Sequence, residues 1–242
     1  MPANERVILI TGASRGLGLE LARCFARRQY RLVLTARDDT PLQAAAAELR
    51  QLTDVVILAG DVADVAHNEA LVARGLARFG RLDVLINNAS TIGPSPMPAL
   101  DAYPLADLAA VFQVNVIAPL HMAQLVLPDM RARGSGVIIN VSSDAGVNAY
   151  PGWGGYGGSK AALEHVSRTL AAELEGSGVR VYAVDPGDMN TRMHQEAEPG
   201  EDLSHLPGPD VPAPAFVYLV ETETAPFLRV EAPALLAQTA GK

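Results

Sequence analysis

The sequence predicts an α/β domain, a parallel sheet with helices on both faces. Short unbroken apolar runs recur along the chain, and amphipathic stretches of helical length separate them. Aromatics make up only 5% of the 242 residues, so the core must be built mostly from Val, Leu, Ile and Ala. That diet suits a parallel sheet buried on both sides.

Residues 7–10, Val-Ile-Leu-Ile, read as a strand covered on both faces. A Gly-rich turn at 11–18 follows. Leu17, Leu21, Cys24 and Phe25 then fall on one helical face, where Cys24 reads as a small buried hydrophobe. Further strands are predicted at 32–35, 55–58, 84–86, 137–141 and 180–184, with helices at 41–52, 66–79, 107–133 and 156–175. The apolar run 227–230 is the candidate for a last strand. Segment 192–214 is rich in proline and acids and precedes a helix expected to begin near Ala215. It reads either as a solvated connection or as a lid over a pocket. The expectation is one domain over 1–242 with 192–214 as its substrate loop.

Net charge is −8, from 19 basic and 27 acidic residues. Such a chain repels nucleic-acid phosphates and anionic lipid, so neither is an expected partner. The start, MPANERVILIT, lacks the long apolar core of a signal peptide, and no run of about 18 apolar residues suggests a membrane span. One cysteine forms no internal disulfide and supplies no zinc cluster, so a cytoplasmic setting is expected. No metal-ligand spacing occurs.

The first turn reads Thr11-Gly12-Ala13-Ser14-Arg15-Gly16-Leu17-Gly18. Glycines at this spacing, between a buried strand and a helix N-terminus, are what a dinucleotide pyrophosphate needs: tight turning, close approach and free N–H groups. Arg37 follows the second strand, where a guanidinium suits a 2′-phosphate, and Arg15 adds a second cation. This favours NADP. Asp38 keeps NAD open, since an acid there accepts from a ribose 2′-OH. Asp61 and Val62 end the third strand, where carboxylate or backbone could hold an adenine amino group or merely start a helix. Asn87, Asn88 and Ala89 close the fourth strand, suited to a tight turn and to bracing the sheet.

Tyr156 and Lys160 lie four apart, one helical turn, and Ser142-Ser143 end the strand 137–141 at the crevice edge. Reducing a ketone leaves an alkoxide to be protonated. A free tyrosine, with a pKa of about 10, is a poor acid–base at neutral pH. A Lys ammonium about 4 Å away contributes about 4 kcal/mol at an effective dielectric near 20. That is roughly three pKa units toward neutrality, with desolvation opposing. A serine hydroxyl can polarise the carbonyl. Pro119, four residues after Asn115, has no N–H for the Asn115 carbonyl, which makes it a candidate anchor for a relay water, or a proline kink and no more.

Taken in order, Thr11-Gly12-x-x-x-Gly16-x-Gly18, Asp61, Asn87-Asn88-Ala89, Asn115, Ser143, Tyr156-x-x-x-Lys160 and Pro186-Gly187 resemble the short-chain dehydrogenase/reductases over nearly the whole chain. The resemblance is to the single-domain, NADP-preferring branch. It implies a Rossmann fold, a doubly wound parallel sheet of about seven strands, and a nicotinamide cofactor. It implies Tyr156 as acid/base, Ser143 rather than Ser142 as carbonyl polariser, Lys160 on the ribose and tyrosine, and Asn115 holding the water. It marks Gly12, Ser14, Arg15, Gly16, Leu17, Gly18, Arg37, Asp61, Val62, Asn88, Ala89, Pro186, Gly187 and Thr191 as cofactor contacts. Ser90 departs from the family's glycine. Gly157 and Gly158 follow the tyrosine at a helix cost of up to about 1 kcal/mol each, for close approach to the nicotinamide or a looser turn.

The expected activity is NADPH-dependent reduction of a ketone or aldehyde, or the reverse alcohol oxidation. The alternative is a non-enzymatic NADP-binding regulator, against which the complete catalytic set argues. The resemblance implies a homodimer or homotetramer. Tyr150 and Trp153 are candidates to stack on a substrate ring or to pack, and His194 and His205 read as solvated loop residues.

Overall fold

Seven parallel strands form one sheet in the order β3-β2-β1-β4-β5-β6-β7. They are β1 (Val7–Thr11), β2 (Arg31–Ala36), β3 (Val55–Ala59), β4 (Val84–Asn87), β5 (Gly136–Val141), β6 (Val179–Asp185) and β7 (Phe227–Glu231). The computed structural model describes residues 5–239; residues 1–4, on which part of the expectation of no signal-peptide core falls, and 240–242 lie outside the described residues. Every strand run read from the sequence is present, extended by a residue or so. The fold is the expected doubly wound Rossmann arrangement.

Alternation along β1 sorts the core. Ile8 and Ile10 face a core closed by α1 (Gly16–Arg27), α2 (Asp39–Leu49), α8 (Ala213–Glu221) and α9 (Ala232–Thr239). Val7 and Leu9 face the other, closed by α3 (Val65–Phe79), α5 (Ala118–Arg133) and α6 (Gly154–Glu173). Cys24 is partly buried against the first core.

The helix expected over 107–133 is two helices joined by a π turn. α4 (Leu105–Phe112) runs into a π-helical turn at Gln113–Ile117, where Ala118 N–H reaches back to the Gln113 carbonyl, and α5 continues. Pro119 cannot donate to the Asn115 carbonyl, and the helix takes wider pairing at this point. By length and composition alone the stretch Leu105–Arg133 could cross a membrane, against the sequence expectation of no span. Here its Met122, Val126 and Met130 pack into the second core.

Segment 192–214 is more structured than expected. It opens with α7 (Arg192–Ala197), and α8 already starts at Ala213.

Gly157 has a packing role. A Cβ there would lie 2.4 Å from the Ala145 carbonyl oxygen, so its lack of a side chain lets α6 press against the short turn after Ser143. Gly158 is exposed and faces open space. Replacing Gly158 with Ala should therefore stabilise the fold by up to about 1 kcal/mol, raising Tm by roughly 2–4 °C. The Gly157→Ala change should lower Tm; equal effects in calorimetry would contradict this packing.

Candidate active site

The strand order reverses between β1 and β4, and the crevice of such a sheet opens beyond the C-terminal strand ends. A cleft of about 1490 Å³ lies there. It gathers every site residue singled out in the sequence except Gly18 and Asn115.

At one end, Gly12 has φ +68°, and a Cβ there would come within 2.9 Å of Asn88 Nδ2. A Cβ on Gly18 would lie 2.3 Å from the Gly12 carbonyl oxygen. These two glycines thus serve packing of turn on strand. Gly16 is the one that meets open space, with only Thr191 Cγ2 3.9 Å from a built Cβ. Asn88 braces the turn, its Nδ2 donating to the Thr11 carbonyl (2.9 Å) and the Gly12 carbonyl (3.2 Å). Asn87 Nδ2 donates to Asn140 Oδ1 at 2.8 Å, tying β4 to β5. Ser14, Leu17 and Val62 are buried, and Asp61 Oδ1 accepts from Ala63 N.

Arg15 Nη2 pairs with Asp38 Oδ2 at 2.5 Å on the surface. Arg37 is exposed and makes no ion pair among the described residues. The two cations and the one carboxylate therefore stand together where the sequence put them.

At the other end, Ser143 caps the short turn Asp144–Gly146, accepting from Ala145 N and donating to Asp144 Oδ1 at 3.1 Å. Tyr156 and Lys160 are buried on α6. Lys160 Nζ lies 5.4 Å from the Tyr156 ring centroid and donates to the Val141 carbonyl at 2.7 Å. Burial holds the Lys160 ammonium down to about 8, with Glu164 and Asp185 opposing. Burial also pushes the Tyr156 phenol well above its ordinary value, more than the facing Ser143 hydroxyl offsets. The opposing desolvation expected for the phenol is thus its dominant influence here.

Asn115 is wholly buried in the π turn. Its Oδ1 accepts from Ser90 Oγ (3.0 Å) and Thr91 N (2.9 Å); its Nδ2 donates to the Thr91 carbonyl (2.8 Å) and Ser159 Oγ (2.9 Å). Its side chain locks the loop after β4 to α6. Ser90, in place of the family's glycine, joins that lock and faces the Tyr156 phenol.

Beyond the tyrosine, Trp153 meets Tyr150, Tyr156 and His194 edge to face, at 6.4, 5.9 and 6.5 Å between centroids. His194 also lies 3.4 Å from Glu198, and Ser95 Oγ donates to the Glu196 carbonyl at 2.6 Å. His194 is thus a packing residue that fastens α7 over the cleft, contrary to its reading as a solvated one, while His205 is exposed.

Residues 6–202 match the short chain dehydrogenase family, and the chain belongs to it. The fold and family define an oxidoreductase that works with a nicotinamide cofactor on carbonyl or alcohol groups. The chain is 36% identical to 2-(R)-hydroxypropyl-CoM dehydrogenase of Xanthobacter autotrophicus, over 79% of this chain and 77% of that protein. A putative short chain dehydrogenase from Pseudomonas syringae has a similar structure, with a TM-score of 0.88, 33% identity and coverage of 96% and 97% of the two chains. A metagenomic short-chain oxidoreductase in complex with NADP gives 0.79, 31% identity and 94% and 97% coverage.

Replacing Asn115 with Ala should leave buried Ser159 and part-buried Ser90 and Thr91 without their partner and cost about 3 kcal/mol, read as a lower denaturation midpoint. A loss under about 1 kcal/mol would show that the lock is not structural.

Proposed function

We propose that this chain is an NADPH-dependent carbonyl reductase that reduces a ketone or aldehyde and, in reverse, oxidises the alcohol. What supports this most is one cleft lined by Ser143, Tyr156 and Lys160 and, further along, by Arg15 and Arg37.

The residues present fit the cofactor, because Gly16 and the N-terminus of α1 leave an open cradle at the phosphate turn. In this reading the turn from Gly12 to Leu17 holds the pyrophosphate, and Arg15 and Arg37 hold the 2′-phosphate. Asp61 and Val62 lie at the adenine, Asn88, Ala89 and Lys160 at the riboses, and Pro186, Gly187 and Thr191 at the carboxamide. The bound cofactor supplies a hydride. Ser143 Oγ donates to the carbonyl oxygen and orients it, while Tyr156 Oη delivers the proton to that oxygen. The Asn115 carbonyl anchors the water that returns a proton toward Lys160. The phenol's raised pKa keeps it protonated for reduction throughout the neutral range.

The substrate end carries little free positive charge. Arg192 is paired with Glu196, while Asp144 and Asp188 both act on Tyr150. Neutral ketones and aldehydes fit this wall better than carboxylates or sulfonates. Leu105 and Ile117, large and exposed on the α4–α5 side, support a homodimer or homotetramer. With one cysteine, the cytoplasm is the proposed compartment.

Tyr156→Phe should abolish ketone reduction and leave NADPH affinity within about twofold by calorimetry; retained turnover would refute the assignment of the acid. Arg37→Ala should weaken NADPH about tenfold with NADH nearly unchanged, as expected for loss of a charge-assisted contact. Reduction should be constant on the acid side of pH 8 and fall as pH rises through about 8, because Lys160 is an ammonium below that value and neutral above it. A profile that climbs through pH 8 would contradict this.

A further inference from the structure

A second set of charged groups lies behind the reacting residues, drawn from α6, β6 and β7 and joined by Ser142 just after β5. Glu164 is one helical turn beyond Lys160 on α6 and is buried. Its Oε1 accepts from Ser142 Oγ at 2.6 Å, at the residue between Val141, which holds Lys160, and Ser143. The same oxygen accepts from Arg229 Nε, on β7, at 3.3 Å. Arg229 Nη2 lies 3.7 Å from Asp185 Oδ2 at the end of β6, and its Nη1 donates to Glu231 at 2.8 Å. Asp185 Oδ1 in turn accepts from Gly187 N at 2.9 Å and so shapes the Pro186-Gly187 turn.

We propose that Arg229 is a positioning residue for the reaction, joining Glu164 and Asp185 so that the ends of β5 and β6 and the ammonium of Lys160 keep their places. Arg229 touches none of the reacting atoms in this scheme. It rests on the reading that Lys160 and Tyr156 serve the cofactor and the carbonyl.

The charge balance gives the inference a direction. The charges acting directly on Lys160 are Glu164 from its own helix and Asp185 from β6, and the Tyr156 ring lies beside it. Arg229 and Glu231 from β7 and Asp144 from the turn after β5 act on Asp185. With Arg229 present, the buried carboxylates of Glu164 and Asp185 are countered by two cations, Arg229 and Lys160. Without it, both carboxylates act on Lys160 alone and favour its charged form. Without the Glu164 charge, Lys160 loses a counter-ion and its charged form is disfavoured.

The test follows NADPH affinity by calorimetry across pH 6.5–9.5 in wild type, Arg229→Met and Glu164→Gln, with the reduction profile of any accepted ketone beside it. The wild-type loss near pH 8 should move up by roughly half a unit to one unit in Arg229→Met and down by a similar amount in Glu164→Gln. Arg229→Lys should return the loss to near the wild-type position. A purely structural role would lower Tm and amplitude in all three while leaving the loss where it is, and that result overturns the proposal. If Arg229→Met does not fold, Glu164→Gln decides: a lowered position supports the proposal and an unmoved one overturns it. If wild type binds no NADPH, or binds it with no loss near pH 8, the reading of Lys160 fails and this inference with it. A normal wild-type profile unmoved in the variants overturns this inference alone.

Discussion

Lys160 holds an ammonium that is 2% exposed, and a buried cation has to be hydrogen-bonded and counter-charged. The Val141 carbonyl meets the first need. Glu164, one turn along the same helix, and Asp185, at the end of β6, meet the second. The ends of β5 and β6 are thereby fixed against α6, and these same ends carry Ser143 and the Pro186-Gly187 turn. The geometry of the reacting groups is thus set less by contacts among themselves than by the accommodation of one charge. The cost is visible in the lysine itself, which is held near the point of losing its proton.

Much of the fold was legible because a buried parallel strand leaves a plain trace. Each strand is an apolar run of a few residues, bounded by turn chemistry. Helix ends were less legible: α2 begins two residues before the expected 41, and α9 left no signal strong enough to be read. The π turn had a signal in Pro119, which identified the broken pairing but not the wider turn around it.

The site divides along the same line. Gly12, Ser143, Tyr156 and Lys160 were legible because they belong to local spacings. The cluster of Ser142, Glu164, Asp185 and Arg229 was not, since its members are far apart in the chain and meet only because β5, β6 and β7 are adjacent. The electrostatics were legible in sign only: the spacing gives the attraction of a lysine and the opposition of burial, but not how deeply the phenol is buried. Gly157 was misread for a related reason: its partner is the Ala145 backbone, which no spacing rule indicates.

The ion pair between Arg15 and Asp38 bears on how firmly the enzyme can prefer one cofactor. In the proposed reading, Asp38 is a built-in placeholder for an anion at Arg15, which a 2′-phosphate would displace before gaining that contact. Both partners are about half exposed, and such a pair is weakened by mobile ions. The discrimination between phosphorylated and unphosphorylated adenosine is therefore a joint property of the chain and its electrolyte. On the proposed assignment, salt loosens the placeholder and the incoming phosphate together, leaving Arg37, which has no ion pair to give up among the described residues, as the steadier part of the preference.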